Sequence, residues 1–142
     1  NQSFSLTAGQ ATPTSQQKYK NKAHPSGEPN FPLNPIKLAL ASNMSFVARC
    51  NARDIVHTSQ VLKQAIDHKG FSFVEIIQDC LIFNLDMNNK DKLMYKVNNN
   101  TSDMKKALEL SEQWNYNSKT GKIPLGIFYQ EKKPILNEKL NK

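Results

Sequence analysis

Cysteine is nearly missing from this chain of 142 residues: Cys50 and Cys80 are its only two, far apart and outside any CxxC pair. That excludes a secreted disulfide scaffold and leaves no self-contained set of thiolate ligands. Long apolar runs are missing as well. None approaches the roughly 18 residues that a membrane-spanning helix requires, so no membrane partner is expected. Arginine is scarce, with Arg49 and Arg53 its two instances, so the net charge of +7 comes from lysines scattered among many asparagines. Without arginine–aromatic interleaving this is not a phosphate-tracking stripe, and no nucleic acid is expected to bind. A basic surface of this kind can still attract an acidic electron-transfer protein. Hydrophobic residues make up 38% and the mean hydropathy is −0.62. Packing against further polypeptide would give that composition, and so would long polar loops.

What is present reads as an α/β domain of ordinary size. Residues 1–33 carry little periodicity and are punctuated by Pro13, Pro25, Pro29 and Pro32, with Lys18, Lys20 and Lys22 between them, so they form an ordered loop and arm. The main body is expected over 34–130 and a polar tail over 131–142. Asn34 followed by Pro35 is a helix start, continuing through Ser42. Ser45–Cys50 predicts a short buried strand. Asp54 opens a helix that runs to about Lys69 with Ile55, Leu62, Ala65 and Ile66 as its apolar stripe, closed by Gly70. Phe71–Ile77 is the strongest strand signal, continuous enough to predict cover on both faces. Strand, helix, strand in that order is a βαβ unit. A loop over 78–89, a weak strand at 93–97, an amphipathic helix over 102–114 and a last strand over 123–129 complete the pattern.

Several residues are candidates for chemistry. A diphosphate cofactor needs a divalent cation, and hard cations take amide and carbonyl oxygens. Asn1, with the small residues and the Leu6-Thr7-Ala8-Gly9 run behind it, could supply such a ligand, although loops of this composition are common. Cys80 follows a long strand in Gln78-Asp79-Cys80-Leu81; a lone cysteine serves either as a small buried hydrophobe or as a ligand. Cys50 reads as packing. His24, His57 and His68 make neither a metal site nor a triad. Arg49 ends a strand at an edge where α/β proteins bind ligands, but a surface ion pair is its expected use.

The segments taken together resemble one family. The opening, Asn1-Gln2-Ser3-Phe4-Ser5-Leu6-Thr7-Ala8-Gly9-Gln10, is similar to the cofactor loop of the thiamine-diphosphate-binding β subunit of 2-oxoacid:ferredoxin oxidoreductases. So, in order, are Asn34-Pro-Ile-Lys-Leu-Ala-Leu-Ala, Phe46-Val-Ala-Arg, His68-Lys-Gly-Phe-Ser-Phe, Gln78-Asp-Cys-Leu-Ile-Phe-Asn and Ile123-Pro-Leu-Gly-Ile-Phe-Tyr. The resemblance is weakest between about residues 85 and 122. It implies the C-terminal part of a thiamine-diphosphate fold, a mostly parallel sheet flanked by helices, with the remainder of the catalytic apparatus upstream of residue 1.

The same resemblance implies the roles of individual residues. Asn1 would ligate Mg²⁺ by its side chain and Ser3 by its backbone carbonyl. Leu6, Thr7, Gly9 and Gln10 would line the thiamine diphosphate. Cys80 would be the fourth ligand of a 4Fe–4S cluster whose other three lie outside this chain. Ala8 departs from the family's Lys or Gly, and Phe4 from its Tyr. The implied activity is oxidative decarboxylation of a 2-oxoacid to acyl-CoA, with electrons passing singly to ferredoxin. An α subunit would complete the enzyme in a reducing cytoplasm, and the 142 residues alone would be inactive. The alternatives are a split or vestigial piece of the same fold, or a non-redox thiamine-diphosphate decarboxylase in which Cys80 is incidental.

Overall fold

The computed structural model describes residues 1–140; Asn141 and Lys142, the end of the expected tail, lie outside them. The elements run α1 (Pro35–Ala41), β1 (Phe46–Asn51), α2 (Ile55–Asp67), β2 (Ser72–Ile77), a 3-10 segment (Leu85–Leu93), β3 (Met94–Lys96), α3 (Met104–Glu112), β4 (Ile123–Gln130) and α4 (Leu136–Leu140). Each of the first three helices begins on a side-chain cap. Asn34 accepts from the Lys37 N–H, Asp54 from His57 and Asp103 from Lys106. A cap of this kind contributes about 1 kcal/mol by satisfying an amide that the helix cannot.

The four strands form one sheet in the order β2-β1-β4-β3. β1 pairs parallel with β2 and antiparallel with β4, and β3 pairs parallel with β4, so the sheet is mostly parallel as expected. Alternation along β1 divides the core in two. Val47 faces α1 and α3 in a cluster with Ile36, Leu40, Ala107, Leu110 and Phe128. Phe46, Ala48 and Cys50 face the other way, with Val61 of α2 behind them. A third cluster joins Ile77, Trp114, Tyr116, Ile123 and Leu125.

Two expectations are corrected here. Phe71–Ile77 is not covered on both faces. β2 is an edge strand bonded to β1 alone, with Phe71 and Ile76 exposed, and the doubly covered strand is β1. Of the α2 stripe only Ala65 faces inward, beside the buried Val61, while Ile55, Leu62 and Ile66 are exposed. Smaller differences are the 3-10 segment inside the expected loop, the end of α2 at Asp67, and the short helix in the tail.

Arg49 is corrected most strongly. It points from β1 into the α1/α3 side of the sheet and is fully buried. Its Nε donates to Glu75 Oε2 at 2.6 Å, Nη2 to the Tyr116 hydroxyl at 2.7 Å and Nη1 to the Pro124 carbonyl at 3.3 Å. The guanidinium lies 5.2–5.4 Å from the ring centres of Trp114, Tyr116 and Phe128. Burial alone would depress its pKa, but the Glu75 carboxylate and Tyr116 hydroxyl outweigh it and hold the group charged. The Tyr116 hydroxyl also donates to Glu75, and burial pushes its own pKa up. Planar donors suit this triple demand, which an ammonium cannot meet. Arg49→Met should therefore cost about 3–5 kcal/mol in denaturant unfolding, because it strands a half-buried carboxylate, and Arg49→Lys should recover only part of the loss.

Candidate functional site

The opening loop and the segment after β2 are folded against each other. Gln2 enters at φ 54° and buries its side chain, donating to the carbonyls of Tyr116 (2.9 Å) and Thr14. Phe4 and Gln10 close the loop as a β-bridge. Gly9 sits at φ 90°, and a Cβ there would lie 2.8 Å from the Phe83 ring. Both conditions demand glycine. The Tyr19 hydroxyl then reaches the carbonyls of Gly9 and Phe83 at 3.1 Å each. Asn84 Nδ2 donates to the Asn1 carbonyl at 3.0 Å.

Cys80 lies in the middle of this junction, buried and without a disulfide. Its sulfur accepts from the Phe83 N–H at 3.3 Å and the Asn84 N–H at 3.2 Å. The hydroxyls of Ser3 and Ser5 stand 3.5 and 3.6 Å away. Burial raises the thiol pKa, but the two serines and the amides of Ile82 and Phe83 prevail and bring it down to about 6. These hydrogen bonds favour the thiolate, which is the form that ligates metal. Cys50 contrasts with it: burial pushes that thiol up to about 11, as packing requires.

The oxygen donors on the loop suit a hard cation. Asn1 Oδ1 accepts from the Ser3 N–H at 3.1 Å and keeps a second lone pair. The Asn1 carbonyl is taken by Asn84 and that of Gln2 by Ser15, which leaves the Ser3 carbonyl without a protein donor among the described residues. Thr7 Oγ1 donates to Gln10 Oε1 at 2.6 Å, Thr7 being exposed and Gln10 half-buried, and Leu6 is wholly exposed. Among the described residues no three His, Cys, Asp or Glu side chains cluster to hold a metal by themselves.

Sequence reasoning did not find the second hydrogen-bonding layer. Ser3 and Ser5 acting on sulfur, Asn84, Tyr19 and Lys90 were all missed. Lys90 is buried with its Nζ 3.3 Å from Gln2 Oε1 and 5.2 Å from the Trp114 ring centre. A lysine inside a polar 3-10 segment carries no pattern that marks it as buried.

The fold and the loop together define a thiamine-pyrophosphate-binding enzyme domain. Residues 1–76 match the family model for the C-terminal TPP-binding domain of thiamine pyrophosphate enzymes. Residues 86–142 match the one for the C-terminal region of the pyruvate ferredoxin oxidoreductase β chain. The 2-oxoacid:ferredoxin oxidoreductase subunit beta of Saccharolobus solfataricus is 36% identical over 143 residues, covering 89% of this chain and 45% of that protein. The 2-oxoglutarate synthase subunit KorB of Methanocaldococcus jannaschii is 28% identical, covering 100% of this chain and 52% of its own. A solved 2-oxoglutarate:ferredoxin oxidoreductase from Magnetococcus marinus, with 2-oxoglutarate, coenzyme A and succinyl-CoA bound, superposes with a TM-score of 0.89 at 29% identity, over 99% of this chain and 48% of that one. The chain belongs to the thiamine pyrophosphate enzymes through their C-terminal TPP-binding domain, and along nearly its whole length it is similar to 2-oxoacid:ferredoxin oxidoreductase β subunits. It spans about half the length of the curated relatives it matches.

Two measurements test this geometry. Gly9→Ala should strain the loop by about 1–2 kcal/mol at its positive φ and displace Phe83, so that limited proteolysis cuts the 78–89 segment faster than in the parent. Burial holds the Lys90 ammonium at about 8, below the ordinary 10.5. Between those values the unfolded chain binds the proton that the folded one has released, so stability should rise with pH across that window. Lys90→Met should flatten the rise in unfolding titrations spanning it.

Proposed function

We propose that this chain is the thiamine-diphosphate-binding part of an enzyme that catalyses oxidative decarboxylation of a 2-oxoacid to acyl-CoA and passes the electrons to ferredoxin. The observation that carries this reading is the sulfur of Cys80, held by two amides and two serine hydroxyls directly against the family's cofactor loop. Hydrogen bonds to sulfur are the means by which proteins hold and tune iron–sulfur ligands. A non-redox decarboxylase has no use for a sulfur held in this way.

Thiamine diphosphate, when bound, supplies the carbon nucleophile and electron sink, and the cluster supplies one-electron steps. The chain's own part is to bind and to hold. Asn1 Oδ1 and the Ser3 carbonyl would take the Mg²⁺ that neutralises the diphosphate, since both are oxygen donors with free capacity. Leu6, Thr7, Gly9 and Gln10 would face the cofactor. The Thr7–Gln10 bond fixes the loop's crown, and the exposed Leu6 is available to pack on the ring. Cys80 would complete a 4Fe–4S cluster whose other three ligands come from outside these residues. An α subunit would share in binding 2-oxoacid and CoA. The compartment would be the cytoplasm, in keeping with two free thiols and, among the described residues, no helix long and apolar enough to cross a membrane.

In the complete enzyme, Cys80→Ala should lose the broad visible absorbance and most of the iron while retaining thiamine diphosphate. An unaltered spectrum and iron content would remove Cys80 from the ligand set.

A further inference from the structure

The arm that follows the cofactor loop returns to lie beside the segment carrying Cys80. It is held as a narrow loop by Lys18 N–H to the Glu28 carbonyl (2.7 Å) and Glu28 N–H to the Tyr19 carbonyl (2.9 Å). Tyr19 turns inward to bond Gly9 and Phe83, while Lys18, Lys20 and Lys22 are exposed. A cavity of about 240 Å³ lies between the two segments, lined by Ala8, Tyr19, Lys20, Asn21, Lys22 and Phe83 among others. Beside it Leu81 and Ile82 are 78% and 74% exposed.

The charge at this place is one-sided. Asp79 is paired with Arg53 and Asp86 with Lys119, so the acids flanking Cys80 are already neutralised. Glu28 turns its Oε1 to the backbone and side chain of Asn30. Lys18, Lys20 and Lys22 make no ion pair among the described residues. The result is a row of free cations beside an apolar patch, Leu81 and Ile82, that follows the sulfur directly along the chain.

We propose that the arm carrying Lys18, Lys20 and Lys22, together with Ile82 of the cavity that Lys20 and Lys22 line and its exposed neighbour Leu81, forms the docking surface for an acidic iron–sulfur carrier protein. This rests on the electron-transfer function proposed above and gives that transfer its place. An acidic rim would meet the lysines and steer the encounter, while the exposed leucine and isoleucine supply the desolvated contact. A small anion could use the lysines but would have no use for the apolar patch. Each docking would pass one electron: a cluster completed by Cys80 would be oxidised by one and the carrier's centre reduced by one, with no bond or proton moving.

The test is a triple variant, Lys18→Gln, Lys20→Gln and Lys22→Gln, in the complete enzyme, assayed with ferredoxin and separately with methyl viologen as acceptor. KM for ferredoxin should rise about tenfold at low ionic strength and converge on the parent value as salt screens the surface. Viologen reduction and KM for CoA should stay unchanged. An unaltered ferredoxin KM would overturn the docking surface while leaving the enzyme's function standing. Equal loss with both acceptors, or a rise in KM for CoA alone, would also overturn it, the latter reassigning the lysines to a phosphate ligand. A parent enzyme that reduces viologen but not ferredoxin would overturn both proposals together.

Discussion

Arg49 is the charge on which the rest of the molecule is assembled. A guanidinium without water must have its hydrogen bonds answered by protein, and here the answers come from β2, from β4 and from the segment after α3. β2 is far in sequence from the other two, and all three meet at this one side chain. Removing the charge would cost more than the contacts themselves, because Glu75 and Tyr116 are arranged to need it. The stacked pair Trp114 and Tyr116, with centroids 4.1 Å apart, presents one cation-binding wall to Arg49 and another to Lys90.

From that centre the order passes outward by single bonds. The Tyr116 carbonyl receives Gln2, Gln2 receives Lys90, and the first residues of the cofactor loop are thereby tied to the sheet. The loop contains little regular structure, so its shape is set by such side-chain bonds rather than by a helix or strand. This explains why left-handed backbone at Gln2, Ala8 and Gly9 persists there. The surrounding bonds hold a conformation that the local sequence would not choose.

Much of the architecture was legible in the residues, because caps and strands are local. Asn34-Pro35, Asp54 and the Ser45–Cys50 run each carry their own physical cause, and the structure places a helix, a helix and a strand there. Burial was less legible. The apolar residues of Phe71–Ile77 and of α2 report a demand for cover, but not which neighbour provides it. At the sheet edge that demand is left unmet by the residues present, and the relatives are about twice as long. Arg49 was misread for the opposite reason: a lone arginine at the end of a strand looks like surface until Glu75, Tyr116 and Pro124 are known to converge on it. The loop and Cys80 were legible as a pair through their order in the chain. The serines that join them were not, since Ser3 and Ser5 look like filler in a polar sequence.

Ser3 faces two ways at once. Its hydroxyl addresses the Cys80 sulfur, and its carbonyl has no protein donor among the described residues. On the proposed assignments, the cation of the organic cofactor and the inorganic electron relay are both referred to the same few atoms. The link between them is covalent only within Ser3 and becomes a 3.5 Å hydroxyl–sulfur contact at Cys80, so a shift of the loop would be felt at both places at once.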